Sequence, residues 1–355
     1  MDKVNIFVPE PLRDKPIALP FWSRFPGVGR SVFYDKQLPP NFFDTNVNYV
    51  EAENAQAIVL PNSFVKFDNH TDDCIKKYAD LGQVLGIPVF VFSFGDLNDR
   101  VRFDPRVYVF RQSVYRSTMR PQDIVVPTLT GDYGNTGMSL RQKNVLPIVS
   151  FCGQAGYKTI QQEIKYHIKV WLWKVTSISK PSLRARTVGV YWRKKMLNAC
   201  TDSTLVKTLF IIRHSFSGAH RTIELDPKIA HKEFVDSIIN SDFVLAPKGD
   251  GNYSNRFLEA LSLGRIPVLL DTDTVLPLER EIAYEKVIVR VPMEKVADTP
   301  KFIREWYDNL SEEDWKLAQV AARELYVSVL RLDSFFKYFF DTVFTTLPKK
   351  PPVSD

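Results

Sequence analysis

Ser241-Asp-Phe-Val-Leu-Ala-Pro-Lys-Gly-Asp-Gly-Asn-Tyr-Ser-Asn-Arg-Phe-Leu-Glu-Ala-Leu-Ser-Leu-Gly-Arg-Ile-Pro-Val-Leu-Leu-Asp-Thr-Asp-Thr-Val-Leu-Pro-Leu-Glu279 is the stretch on which the reading of this chain turns. Residues 243–246 form a short apolar run that reads as a buried strand. A turn follows, Pro247-Lys248-Gly249-Asp250-Gly251, and then a helix over residues 254–263 that Gly264 ends. Residues 266–270 read as the next strand. A helix that starts just past a strand offers free N–H groups and the positive end of its dipole, which suits a pyrophosphate. Gly249 and Gly251 let the backbone come close to such a ligand. Ser254 can donate its hydroxyl to the phosphates or, as an N-cap, accept from a backbone N–H of its own helix. Arg256 can make a two-pronged, charge-assisted contact. Glu259 can accept both hydroxyls of a ribose. Alternatively Arg256 and Glu259, three residues apart, form a surface pair.

Outward from this stretch, apolar runs alternate with helical periodicity, the mark of parallel sheets with helices on both faces. In the first half, residues 57–60, 89–93, 107–110 and 124–126 read as strands. Residues 71–85 read as a helix capped by Thr71 and stopped by Gly86. Gly95-Asp96 follows the strand 89–93. Residues 131–144 turn polar and Gly-rich and read as a linker. A second series then begins: strand 145–151 ending in Cys152-Gly153-Gln154-Ala155-Gly156, and strand 205–212 ending in Arg213-His214. The last stretch, 299–346, is mostly helical, and 348–355 reads as a frayed tail. The expectation is α/β: two Rossmann-like domains with parallel sheets facing a central cleft. Their spans are 1–140 and 141–325, with 326–355 as a helix packing back on the first domain. In open parallel sheets ligands bind beyond the carboxyl ends of the strands, where the loops just named lie.

The 355 residues suffice for two such domains. A net charge of +6 favours anionic partners, and no dense Lys/Arg block points to nucleic acid; the longest piece is Arg193-Lys194-Lys195. Cys74, Cys152 and Cys200 show no metal or disulfide spacing, which suggests a reducing compartment. No apolar run is long enough for a signal peptide or a transmembrane segment. The expectation is a soluble, cytoplasmic protein.

The stretch resembles the exostosin family, whose pattern is Ser-x-Phe-Cys-Leu-x-Pro-x-Gly-Asp, Ser-x-Arg-x-x-Glu-Ala, Gly-Cys-Ile-Pro-Val and Leu-Pro-Phe-Glu. The matches are Ser241, Phe243, Leu245, Pro247, Gly249, Asp250, Ser254, Arg256, Glu259, Ala260, Gly264, Ile266, Pro267, Val268, Leu276, Pro277 and Glu279. In the first half Phe33-Tyr34-Asp35, Leu38-Pro39-Pro40, Glu53-Asn54-Ala55 and Asp123-Ile124-Val125-Val126-Pro127 are similar more loosely. Val244 and Arg265 stand where the family has cysteines. The resemblance implies a GT-B glycosyltransferase with its donor site in the second domain. It implies transfer from a nucleotide diphosphate sugar with inversion, and no required metal or other cofactor. The implied partners are a nucleotide-sugar donor and an oligosaccharide, polysaccharide or glycoprotein acceptor.

An inverting transfer needs a base for the acceptor hydroxyl and positive charge for the departing diphosphate. Asp96 is the first choice for the base, with Asp132 and Asp35 as alternatives, all expected in the first domain. The donor-site candidates are Gly153, Gln154, Arg213, His214, Pro247, Lys248, Gly249, Asp250, Tyr253, Ser254, Asn255, Arg256 and Glu259. His220 is a further histidine near it. Asp271-Thr272-Asp273 mimics a metal-binding Asp-x-Asp and is read as a donor-side loop. Trp22, Phe21, Phe25, Tyr34, Tyr133 and Trp192 are aromatics of which some can stack on sugars, whereas Trp171 and Trp173 are expected in the core or at a domain interface. Two other functions fit the pattern: a GDP-fucose-type transferase, and a glycan-binding protein that keeps the fold without the chemistry.

Overall fold

The computed structural model describes residues 3–25, 41–64, 66–98, 101–136, 138–156, 159–176, 185–213 and 226–347. The chain divides into two compact units, one of Met1–Leu129, Val275–Leu278 and Ser328–Asp355, the other of Thr130–Thr274 and Glu279–Val327.

The first unit is built on a parallel sheet of β1 (Val4–Phe7), β2 (Val47–Tyr49), β3 (Ala57–Ser63), β4 (Val89–Ser93), β5 (Val107–Arg111) and β6 (Asp123–Val125), in the order β2-β1-β3-β4-β5-β6. Side chains alternate across a strand, and here the alternation is chemical. Phe90, Phe92, Tyr108 and Phe110 enter one core, while Val89, Val91, Val107 and Val109 enter the other. Helix α1 (Asn69–Leu85) covers the valine face with Ile75 and Ala79. Its N-cap is Asp68, whose carboxylate accepts from Thr71 N at 3.0 Å and from Thr71 Oγ1 at 2.8 Å. Thr71 is therefore capped, not the cap, and lies in the first turn. Gly86 ends the helix at a φ of 70°.

The second unit carries β7 (Ile148–Gln154), β8 (Lys207–Arg213), β9 (Phe243–Leu245), β10 (Ile266–Asp271) and β11 (Val289–Pro292), parallel, in the order β11-β10-β9-β7-β8. Its helices are α2 (Ile160–Thr176), α3 (Gly189–Thr201), α4 (Pro227–Ile239), α5 (Asn255–Ser262), α6 (Thr299–Asp308) and α7 (Glu312–Leu325). The C-terminal α8 (Leu332–Tyr338) runs into a wider turn over Phe339–Val343 and belongs to the first unit. There Leu332, Phe335, Phe336, Phe339 and Phe340 cover the aromatic face. Both sheets follow the doubly wound order 2-1-3-4-5, extended by a sixth strand in the first unit, so the two expected Rossmann-like domains are present. In this topology the ligand crevice lies at the carboxyl ends of the first and third strands, where the winding reverses.

Residues 131–144 are not a linker. Gly134 sits so close to Ser262 and Arg323 that a β-carbon there would stand 2.3 Å from the Ser262 carbonyl. Arg141 Nε meets Asp242 Oδ1 at 2.6 Å, and the Arg141 carbonyl accepts from Trp315 and Gln319. The buried Arg265 donates to the carbonyls of Ser139, Ile239 and Leu263. These bonds draw the segment onto the second unit, and the division falls at 129/130, not at 140/141. Trp171 also departs from expectation: it is 62% exposed, because Val170 carries the inward face of α2 at 6%. Of the candidate sugar-stacking rings, Phe21 is buried among Phe43 and Phe92, and Trp192 is buried too. No helix among the described residues is long and apolar enough to cross a membrane.

Candidate nucleotide-binding site

In the second unit the first and third strands are β7 and β9, and the loops at their carboxyl ends hold most of the polar residues singled out above. Strand β9 runs through Ala246 and the buried Pro247 into the turn at Lys248–Gly251. The turn is closed by Gly249 N donating to the Tyr253 carbonyl at 2.9 Å. Helix α5 then starts at Asn255, exposed at the first helical position. Ser254 occupies the N-cap position with extended backbone, yet its hydroxyl caps nothing. Ser254 Oγ is closed off from solvent and has no hydrogen-bond partner among the described residues.

Phe257, Leu258, Ala260 and Leu261 bury one face of α5, which turns Arg256 to the other. The Arg256 guanidinium reaches the end of β7, where Nε and Nη2 donate to the Cys152 carbonyl at 3.1 and 2.8 Å. It also lies 4.5 Å over the ring of Phe151, a cation–π contact in a desolvated setting. Gly153 makes this possible. A β-carbon there would stand 2.1 Å from Arg256 Nη2, and its φ of 143° is one that side chains rarely adopt. Arg256 and Glu259 do not form the alternative surface pair; neither side chain meets an ion partner among the described residues. Burial pushes the Glu259 carboxyl up to about 7 against the pull of Arg256. A part-buried carboxylate without a donor can accept ligand hydroxyls.

A second guanidinium converges on the same place. Arg193, on α3, donates from Nη1 to the Gln154 carbonyl at 3.0 Å, and its buried Nε has no partner among the described residues. Burial, and secondarily the Arg256 charge, lower its pKa to about 10, partly offset by Asp250, so it stays protonated. Helix α3 is pinned there because Gly189 packs on the turn: a β-carbon would lie 2.4 Å from the Gly249 carbonyl. Arg193 was missed as a site residue. The triplet at 193–195 was its only trace in the sequence, and nothing local marks which of the three turns inward.

Other candidates are placed elsewhere or engaged. Arg213 forms an ion pair with Glu233 at 2.8 Å. Lys248 is buried and donates Nζ to the Ala185 carbonyl at 2.7 Å, with its pKa lowered by burial to about 7. It braces the turn and does not project from it. Asp250 is exposed. Asp271, the first carboxylate of the Asp-x-Asp, meets Arg290 at 2.9 Å and accepts from Thr274 N, as a loop anchor does. Asp96 is exposed on the loop after β4, which is held by Gly95 N donating to Gln112 Oε1 at 3.0 Å. Asp132 lies in the second unit, not the first, and is ion-paired with Arg323, 3.1 Å between Nη2 and Oδ2. That pairing removes it from the base candidates. Asp35, His214 and His220 lie outside the described residues.

The family model of the Exostosin GT47 domain matches residues 113–306. Exostosin-1 of Drosophila melanogaster is 40% identical over 65 residues, 18% of this chain, and the match spans only 9% of that protein. Among solved structures, an alpha-glucosyltransferase in complex with UDP overlays at a TM-score of 0.36 and 14% identity, covering 97% of this chain and 100% of that one. The calicheamicin glycosyltransferase CalG4 overlays at 0.31 and 12% identity, covering 82% and 74%. At these scores the overlays say nothing of this chain's chemistry.

Proposed function

We propose that this chain, which belongs to the Exostosin GT47 domain family and is a glycosyltransferase, takes its sugar from a nucleotide diphosphate, UDP in the first instance, and delivers it to a glycan hydroxyl with inversion. The observation that carries this reading is the convergence of Arg193 and Arg256 at the ends of β7 and β9, with no carboxylate paired to either among the described residues. Two guanidiniums beside a helix start match the two phosphates of a diphosphate. Ser254 Oγ supplies a further donor, and Glu259 an acceptor for ribose. As the acceptor oxygen attacks the anomeric carbon, the bond to the diphosphate oxygen breaks and negative charge grows there. The fixed guanidiniums stabilise that charge, and this supports a mechanism without a metal ion. Asp96 is the proposed base, taking the acceptor proton. The reducing, cytosolic location is likewise proposed, supported by free thiols at Cys74, Cys152 and Cys200.

Titration calorimetry with UDP and GDP tests the site. UDP binds the wild type, and Arg256→Ala and Arg193→Ala each weaken it by about 10- to 100-fold, as expected for a charge-assisted contact. Failure of both nucleotides to bind at millimolar concentration would sink the proposal. Preference for GDP would transfer it to the GDP-fucose class. Turnover of a nucleotide-sugar panel, with the product anomer read by NMR, separates a transferase from a glycan-binding protein and tests inversion.

A further inference from the structure

Helix α2 has two apolar sides. Val170 is buried within the second unit, but Ile160, Ile164, Ile168, Trp171 and Val175 are 76, 54, 55, 62 and 47% exposed. Their spacing of four, four, three and four residues sets them on one stripe along the whole helix. Single exposed apolar residues are ordinary, whereas five aligned ones mark a surface that meets something. None of them belongs to the nucleotide site, on which the stripe does not depend.

The charge beside the stripe is positive. Lys165 and Lys169 are exposed, while the acid of the first turn, Glu163, is tied to Lys194 at 2.9 Å. The chain as a whole carries +6. We propose that α2 seats this protein on the surface of an anionic lipid bilayer, with the aliphatic stripe and Trp171 in the boundary between headgroups and acyl chains and the lysines on lipid charge. A second copy of the chain fits less well. Seventeen residues make a helix about 25 Å long, and one stripe of it offers a few hundred Å², below the ~800 Å² per partner of a stable dimer. A bilayer needs no matching counter-surface and selects for this combination of Ile, Trp and Lys.

Co-sedimentation of the whole chain with vesicles of phosphatidylcholine, with and without phosphatidylserine, tests the proposal. The wild type pellets with the anionic vesicles, and added salt releases it. The triple variant Ile164→Glu/Ile168→Glu/Trp171→Glu loses at least about tenfold in partitioning. Lys165→Glu/Lys169→Glu removes the preference for phosphatidylserine. Because all five positions are exposed, thermal midpoints should hold. Should the triple variant misfold, quenching of tryptophan fluorescence by brominated lipid in the wild type, and its reduction in Trp171→Phe, reads the same contact. Wild type that stays in the supernatant with both vesicles overturns the proposal. So does a wild-type dimer in sedimentation equilibrium that the triple variant dissolves while neither protein binds vesicles.

Discussion

Gly153 and Arg256 form a unit in which each explains the other. The guanidinium occupies the space where a side chain at 153 would begin, so a glycine is needed 103 residues before the arginine it serves. Gly153→Ala should push Arg256 off the Cys152 carbonyl. We expect UDP affinity to drop by about tenfold or more, with a moderate loss of thermal stability, both measurable on the same sample. At this scale the arginine and the serine were readable from their positions on a helix after a Gly-rich turn. Arg193 was not, because its role comes from α3 being pressed on Gly249 through Gly189, a contact between residues sixty apart. The two possible roles of Ser254 were likewise separable only in three dimensions, where its hydroxyl turns out not to cap the helix.

Among elements, β4 and β5 show the relation between pattern and packing most directly. Each alternates aromatic and valine residues, and each face finds a different cover. Helix α8 covers the aromatic one. Phe336 is fully buried, with ring centroids 5.3 Å from Phe43 and 5.4 Å from Phe110. Phe336→Ala should cost about 3–5 kcal/mol, read as a lower midpoint in urea unfolding, since the cavity opens between α8 and the sheet in a fully buried core. The segment 131–144 illustrates the opposite case. Its glycines and polar residues correctly announce turns, but turn chemistry does not say what a segment rests on. Arg265, Asp242 and Gln319, all far along the chain, decide that by consuming its backbone and side-chain bonding groups.

Across the whole molecule, two ionisable groups at the nucleotide turn, the part-buried Glu259 and the buried Lys248, shape the pH dependence of stability. Glu259 has its pKa raised, so the folded state holds a proton more tightly than the unfolded chain, and stability falls as pH rises from about 4.5 to about 7. Lys248 has its pKa lowered, so the unfolded chain holds the extra proton, and stability rises from about pH 7 toward 10.5. The two together place a shallow minimum near neutrality in the absence of ligand. Glu259→Gln should remove the falling limb, a gain of roughly 1–3 kcal/mol at pH 7 relative to pH 5 after allowance for partial exposure. Thermal unfolding across that range checks it; a variant that tracks the wild type at every pH would rule it out. By itself, the amino-acid order determined the α/β class, the doubling of the domain and the strand–turn–helix that presents Arg256, because short-range periodicity and turn residues act within a dozen positions. Tertiary structure alone decided that Arg193 joins Arg256, that Asp132 and Arg213 are spent on ion pairs, and that residues 131–144 belong to the second unit. Those outcomes depend on which distant groups meet, and burial makes each buried charge or backbone group settle with whatever partner the fold brings within reach.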